Sequence, residues 1–234
     1  MQMHSFLLMG QSNAAGVGFL SEAEPLDNST EQLWVQHNGK WGKMFRPINL
    51  CEPDNGVSFA ESFAQAYAKA HPDVAVGILP CAYGGTRLQQ WQPGEVLFDN
   101  AVHCAKLAMR SSKLMGVLWH QGEDDCPDRH YPLYYERFQN VKNALREQLG
   151  MPKLPFVLGG LGEFLINSRL EGCAANHPKV NAALKKIADD DPYCAFVPST
   201  GLTCNPDNTH FNTKSLNEFG VRYYNAFAKL MDTK

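Results

Sequence analysis

Five strand-like segments separated by stretches of helical periodicity constrain this chain more than anything else in it. They are Ser5–Met9, Val74–Leu79, Leu114–Trp119, Phe156–Gly159 and Cys194–Pro198. All but the first are short apolar runs without clean polar alternation, which suits parallel strands covered on both faces. Between them, Val57–His71 carries Phe59, Phe63, Ala66, Tyr67 and Ala70 at helical spacing and stops at Pro72. Leu97–Ser111 repeats the pattern with Val102, Ala105, Leu107 and Met109. Tyr134–Leu149 places Phe138, Val141, Leu145 and Leu149 on one face, with Gly150 as its C-cap. Pro178–Ala188 reads as a shorter helix, and the last runs from about Thr213 to Met231.

This alternation predicts a doubly wound sheet of five parallel strands with right-handed crossovers. Gln32–Met44 breaks the rhythm: two short apolar stretches flank Asn38-Gly39, a strong hairpin signal, and read as an insertion after the first strand. No repeat, low-complexity tract or linker divides residues 1–234, so a single domain is expected.

Charge and cysteine content narrow the function classes. With 21 basic and 24 acidic residues, net charge −3, the chain is not built to coat nucleic acid or an anionic membrane. Apolar stretches such as Val74–Leu79 fall far short of the roughly 20 residues of a spanning helix. The seven cysteines are odd in number and contain no CxxC pair, which suggests neither a disulfide framework nor a zinc ribbon. With no basic, cleavable leader at Met1, a cytoplasmic location is expected.

Ligands of open parallel sheets bind beyond the carboxyl ends of the strands, so the residues just after each strand are the candidates. After the first comes Gly10-Gln11-Ser12-Asn13-Ala14-Ala15-Gly16. A serine on such a strand-to-helix turn exposes its hydroxyl and aims backbone N–H groups at whatever it attacks. The same spacing also suits a plain helix cap. There is no GxGxxG and no GK[ST], so nucleotide readings fail. After the second strand, Gly84 or Gly85 has an N–H to offer an oxyanion, or simply turns a loop. Trp91 and Arg87 follow as candidate sugar and carboxylate contacts, with core packing the competing role for Trp91, and Asn13 joins them as a candidate substrate contact.

The third strand ends in Trp119-His120-Gln121-Gly122-Glu123-Asp124-Asp125. There Gln121 has an amide for the oxyanion and Glu123 a carboxylate to orient a histidine. With Asp128 and His130 the same segment offers a metal-site alternative. After the fifth strand, Asp207 and His210 are spaced to pair on a turn, fixing the ring so that its Nε2 faces a serine. Serine, base, orienting acid and oxyanion donors, all at one sheet edge, are the parts of an acyl-transfer site.

Gly10-Gln11-Ser12-Asn13, Gly84-Gly85-Thr86, Trp119-His120-Gln121-Gly122-Glu123 and Asp207-x-x-His210 together resemble the blocks of the SGNH hydrolase superfamily. Within it they resemble the acetylxylan esterase and sialic-acid O-acetylesterase branch, of carbohydrate esterase family 6 type, over about residues 5 to 225. The resemblance implies a flavodoxin-like three-layer α/β/α sandwich. It implies Ser12 as nucleophile, His210 as base and Asp207 as orienting acid, with Glu123 as rival. The oxyanion donors would be the Ser12 N–H, an N–H of Gly84 or Gly85, and the Gln121 amide. No metal or other cofactor is implied. Ala14 and Asp124 depart from the branch, where a Met and a Ser are usual, and bear on pocket size and polarity. The expected activity is hydrolysis of acetyl or other short acyl esters on carbohydrates such as acetylated xylo-oligosaccharides or sialic acids. The competing readings are a non-catalytic carbohydrate-binding protein and a metal-dependent phosphoesterase using the Glu123–His130 segment.

Overall fold

The computed structural model of the chain describes residues 2–28 and 31–233. Seven strands form one sheet: β1 (Gln2–Gly10), β2 (Leu33–His37), β3 (Lys40–Lys43), β4 (Val74–Pro80), β5 (Lys113–His120), β6 (Phe156–Gly159) and β7 (Cys194–Val197). The helices are α1 (Ser12–Ala15), α2 (Phe59–Ala70), α3 (Val96–Ala108), α4 (Tyr134–Gln148), α5 (Cys173–Asp190) and α6 (Thr213–Asp232). The strand order is β3-β2-β4-β1-β5-β6-β7, with every neighbouring pair parallel except β2 and β3.

The sheet is therefore mixed and seven-stranded, not the five parallel strands the apolar runs predict. The hairpin turns at Asn38 and Gly39, both at positive φ (49° and 73°) as a tight hairpin turn requires. It does not stand apart from the sheet. Its first strand docks parallel on β4, from Leu33 opposite Val76 to Val35 opposite Ile78, and buries the side chains of Leu33 and Val35. The Trp41 ring of β3 lies over Gly77 of β4, where a Cβ would come within 2.4 Å of it. Burial of these side chains converts an insertion into two more strands.

Both faces of the sheet are covered. Along β1, Phe6 and Leu8 point into a core shared with Phe59 and Phe63 of α2 and Phe219 and Phe227 of α6. Leu7 and Met9 point the other way, among Phe98 of α3, Phe138 of α4 and Leu184 of α5. A strand buried on both sides has no polar face, which is why the runs show no alternation. Pro178 lies inside α5, not at its start. A proline there forfeits one helical hydrogen bond, and the turn before it is held from outside by Asn176, whose Nδ2 donates to Cys126 O at 2.8 Å.

The chain passes from β1 to β4 on one side and then to β5 on the other, so the winding reverses between β1 and β5. Such a reversal opens a crevice at the carboxyl ends of the strands. Gly10 closes its floor. At φ +128°, a Cβ on Gly10 would stand 1.9 Å from His120 O, and the next residue, Gln11, donates its N–H to that same oxygen at 2.9 Å. Among the described residues, no helix is long and apolar enough to cross a membrane.

Candidate active site

Ser12 opens α1 at the end of β1, and both of its neighbours are tethered. Gln11 Oε1 accepts the Gly122 N–H at 3.2 Å, and its Nε2 donates to Asp124 Oδ2 at 2.9 Å. Buried Asn13 donates to Glu123 Oε1 at 2.6 Å and accepts the Phe211 N–H at 3.0 Å. The first strand's turn is thus tied to the loop after β5 and to the residue beside His210. Asn13, a candidate substrate contact from sequence, serves here as a strut.

The His210 ring reaches Ser12 from the far end of the chain. Its Nε2 lies 2.9 Å from Ser12 Oγ and its Nδ1 2.7 Å from Asp207 Oδ2. Asp207 Oδ1 accepts the backbone N–H groups of Thr209 (2.9 Å) and His210 (3.0 Å). Burial pushes the Asp207 carboxyl up, but the N–H of His210, the His210 ring and the N–H of Thr209 outweigh it and hold it below the usual carboxylate range. An ionised Asp207 accepts the Nδ1–H, so Nε2 is free to accept from the serine hydroxyl. The turn is closed by Asn205, whose N–H donates to His210 O at 2.7 Å, and by a bridge between Cys204 and Phe211.

Glu123 does not touch that ring. It is buried, bonded to Asn13, and its Oε1 lies 3.8 Å from His120 Nδ1, too far for a hydrogen bond. The resemblance left Glu123 as a rival to Asp207; the geometry puts Asp207 on His210 and Glu123 on Asn13.

Two other expected site residues turn out to be braces. Gln121 is fully buried, and its Nε2 donates to Thr86 O (3.0 Å) and Asp125 Oδ2 (2.6 Å). Both amide protons are committed, so the side chain ties the loop after β4 to the loop after β5 and has none left for an oxyanion. Trp91 is also fully buried: its Nε1 donates to Thr86 Oγ1 at 3.1 Å and its ring packs edge-on to Trp119. It is a core residue, not a sugar platform. Arg87 is exposed.

The segment from His120 to His130 spreads its side chains over separate partners. Asp125 Oδ2 takes the Leu88 N–H at 2.6 Å and Asp128 Oδ1 takes the Asn176 amide at 3.0 Å. Among the described residues, no three His, Cys, Asp or Glu side chains are grouped to hold a metal ion.

The family described as "Carbohydrate esterase, sialic acid-specific acetylesterase" matches residues 2–229. The chain belongs to this carbohydrate esterase family. It is 26% identical to "Probable carbohydrate esterase At4g34215" of Arabidopsis thaliana over 95% of this chain and 89% of that protein. The X-ray structure of the Arabidopsis protein superposes with a TM-score of 0.84 at 24% identity, covering 97% of this chain and 98% of the other. NanS superposes with a TM-score of 0.73 at 16% identity over 100% and 98% of the two chains. XAC1771, a carbohydrate acetylesterase from Xanthomonas citri, superposes at 0.72 and 18% identity over 98% of this chain and 56% of its own.

In this carbohydrate esterase a cleft of about 600 Å³ opens in front of Ser12 and His210. Gly84, Gly85 and Tyr83 form one wall, and Glu52 and Asp124 bring carboxylates to it. Burial and the neighbouring Glu123 push the Asp124 carboxyl up, against the pull of Gln11 and Arg87. Glu52 carries no sequence signal. It sits in the turn-rich Cys51-Glu52-Pro53-Asp54-Asn55 segment, far from every motif.

Proposed function

We propose that this esterase removes an acetyl or other short acyl group from a carbohydrate hydroxyl by a serine mechanism. Ser12 Oγ attacks the ester carbonyl while His210 Nε2 takes its proton. Asp207 fixes the ring tautomer and stabilises the imidazolium that forms. The Ser12 N–H and the N–H of Gly84 or Gly85 meet the developing oxyanion, with Gln121 aligning the loops that carry them. The tetrahedral intermediate collapses, the sugar oxygen leaves with the proton from His210, and the acyl group stays on Ser12. Water, deprotonated by the same ring, then releases the acid and restores the serine. Acetylated xylo-oligosaccharides and acetylated sialic acids are the proposed substrate types.

The observation that carries this reading is the unbroken chain from Ser12 Oγ through His210 to Asp207, at 2.9 and 2.7 Å. The test is acetate release from acetylated xylan and acetylated sialic acid by wild type and Ser12→Ala. The variant is expected to lose about 10⁴- to 10⁶-fold in kcat. A Ser12→Ala protein that keeps its rate overturns the mechanism.

A further inference from the structure

Glu52 has no part in the proton relay, yet its carboxylate sits on one of the two glycine N–H groups proposed for the oxyanion. Its Oε2 accepts the Gly84 N–H at 3.1 Å. A Cβ placed on Gly84 would stand 2.4 Å from Oε2 and 2.9 Å from Oε1, so both oxygens lie against the glycine. Only a residue without a side chain lets the carboxylate settle there.

The loop carrying Glu52 is stapled to the strand exit that carries Gly84. Buried Asn49 donates from Nδ2 to Ala82 O at 2.7 Å and accepts the Cys51 N–H at 3.1 Å. Buried Asn55 donates to Asn49 O at 3.2 Å, and its own N–H returns to Glu52 O at 3.3 Å. These bonds fix Glu52 in register with Gly84, and both face the cleft that holds Ser12 and His210.

A carboxylate therefore occupies a donor suited to an oxyanion, and an ester carbonyl must compete with it. Giving up a charge-assisted hydrogen bond is costly unless the carboxylate finds another donor as it leaves. An acyl ester on a sugar brings such donors, the free hydroxyls beside the ester. An aryl acetate brings none.

We propose that Glu52 is a specificity-determining residue: a gate on the Gly84 N–H that yields to esters whose alcohol carries neighbouring hydroxyls and resists simple acyl esters. This rests on the serine-esterase reading with Gly84 as an oxyanion donor. In the exchange the substrate carbonyl takes the Gly84 N–H and the Glu52 carboxylate accepts a sugar hydroxyl.

The test compares kcat/KM for 4-nitrophenyl acetate and for a monoacetylated methyl xyloside with free adjacent hydroxyls, using the full chain as wild type, Glu52→Ala and Glu52→Gln. Glu52→Ala is expected to raise the aryl acetate value about tenfold while the sugar ester value stays level or falls. The sugar-to-aryl ratio then drops about tenfold or more. Glu52→Gln keeps the shape without the charge and should fall between. An unchanged ratio overturns the gate, whether both rates fall together, as a purely structural role would give, or neither moves. Ser12→Ala, run alongside, separates the two claims. If it is inactive on both esters while the Glu52 ratio is flat, the gate fails and the serine mechanism stands. If Ser12→Ala stays active, the mechanism fails and the gate falls with it.

Discussion

His120 and Glu123 are three residues apart, and so are Asp207 and His210, yet only the second pair reaches Ser12. His120 ends β5 fully buried, with the rings of Phe59, Phe211 and Phe219 around it, and its Nδ1 stands 3.8 Å from Glu123. Burial lowers its pKa despite the opposing pull of Glu123, so an imidazolium is disfavoured there. The His210 side chain is 27% exposed and that of Asp207 47%, and the pair closes to 2.7 Å with two backbone N–H groups steadying the carboxylate. Solvent reaches the His210 ring and a carboxylate holds it, whereas aromatic rings enclose that of His120. The same spacing gives a hydrogen-bonded pair beside Ser12 in one place and an unbonded, enclosed pair in the other; solvent access and the carboxylate's other partners decide which.

The strongest way to break this comparison is Asp207→Asn. With the wrong tautomer favoured, kcat should fall about 10⁴-fold, while the urea midpoint barely shifts because the side chain is half exposed. Glu123→Ala should do the reverse. It removes the short acceptor of the buried Asn13 amide, leaving only Thr209 O at 3.4 Å, and should cost about 1–3 kcal/mol in urea unfolding, with a loss in kcat far smaller than that of Asp207→Asn. Equal losses of kcat in the two variants would erase the distinction between them. The smallest expected effect sharpens the electrostatic side. Because burial depresses His120 in the folded state, the unfolded chain takes that proton first as pH falls. The contribution of His120 is therefore complete above about pH 6.5 and is lost below it, by up to about 1.4 kcal/mol per pH unit. Urea titrations at pH 7 and 5.5 should show His120→Gln losing less stability than wild type across that interval; parallel losses would refute the assignment.

The five doubly buried strands are legible because each needs apolar residues on both faces, and the helices because each turns one stripe inward. The hairpin is legible at Asn38-Gly39, but its docking is not: nothing local to Leu33 and Val35 says that Val76–Ile78 has a free edge. In the site, Ser12, Asp207 and His210 can be named together because each follows a strand of one sheet. The choice between Asp207 and Glu123 is hidden because it turns on which carboxylate reaches the His210 ring in space, a distance no sequence interval gives. The true partners of Gln121 and Trp91 are hidden because both depend on Thr86, a residue whose carbonyl and hydroxyl gain meaning only once the loops meet. Glu52 is invisible because its position is set by Asn49 and Asn55 gripping another segment, not by any pattern around itself.

The docked hairpin also decides what the molecule presents at its outer margin. The terminal β3 is four residues long, runs against its neighbour, and exposes Lys40 and Lys43. A foreign polypeptide trying to zip onto that margin would find a brief template guarded by two ammonium groups. Ending at β2 would have offered Leu33 and Val35 instead. The insertion thus shields this one of the sheet's two margins from strand addition by another copy.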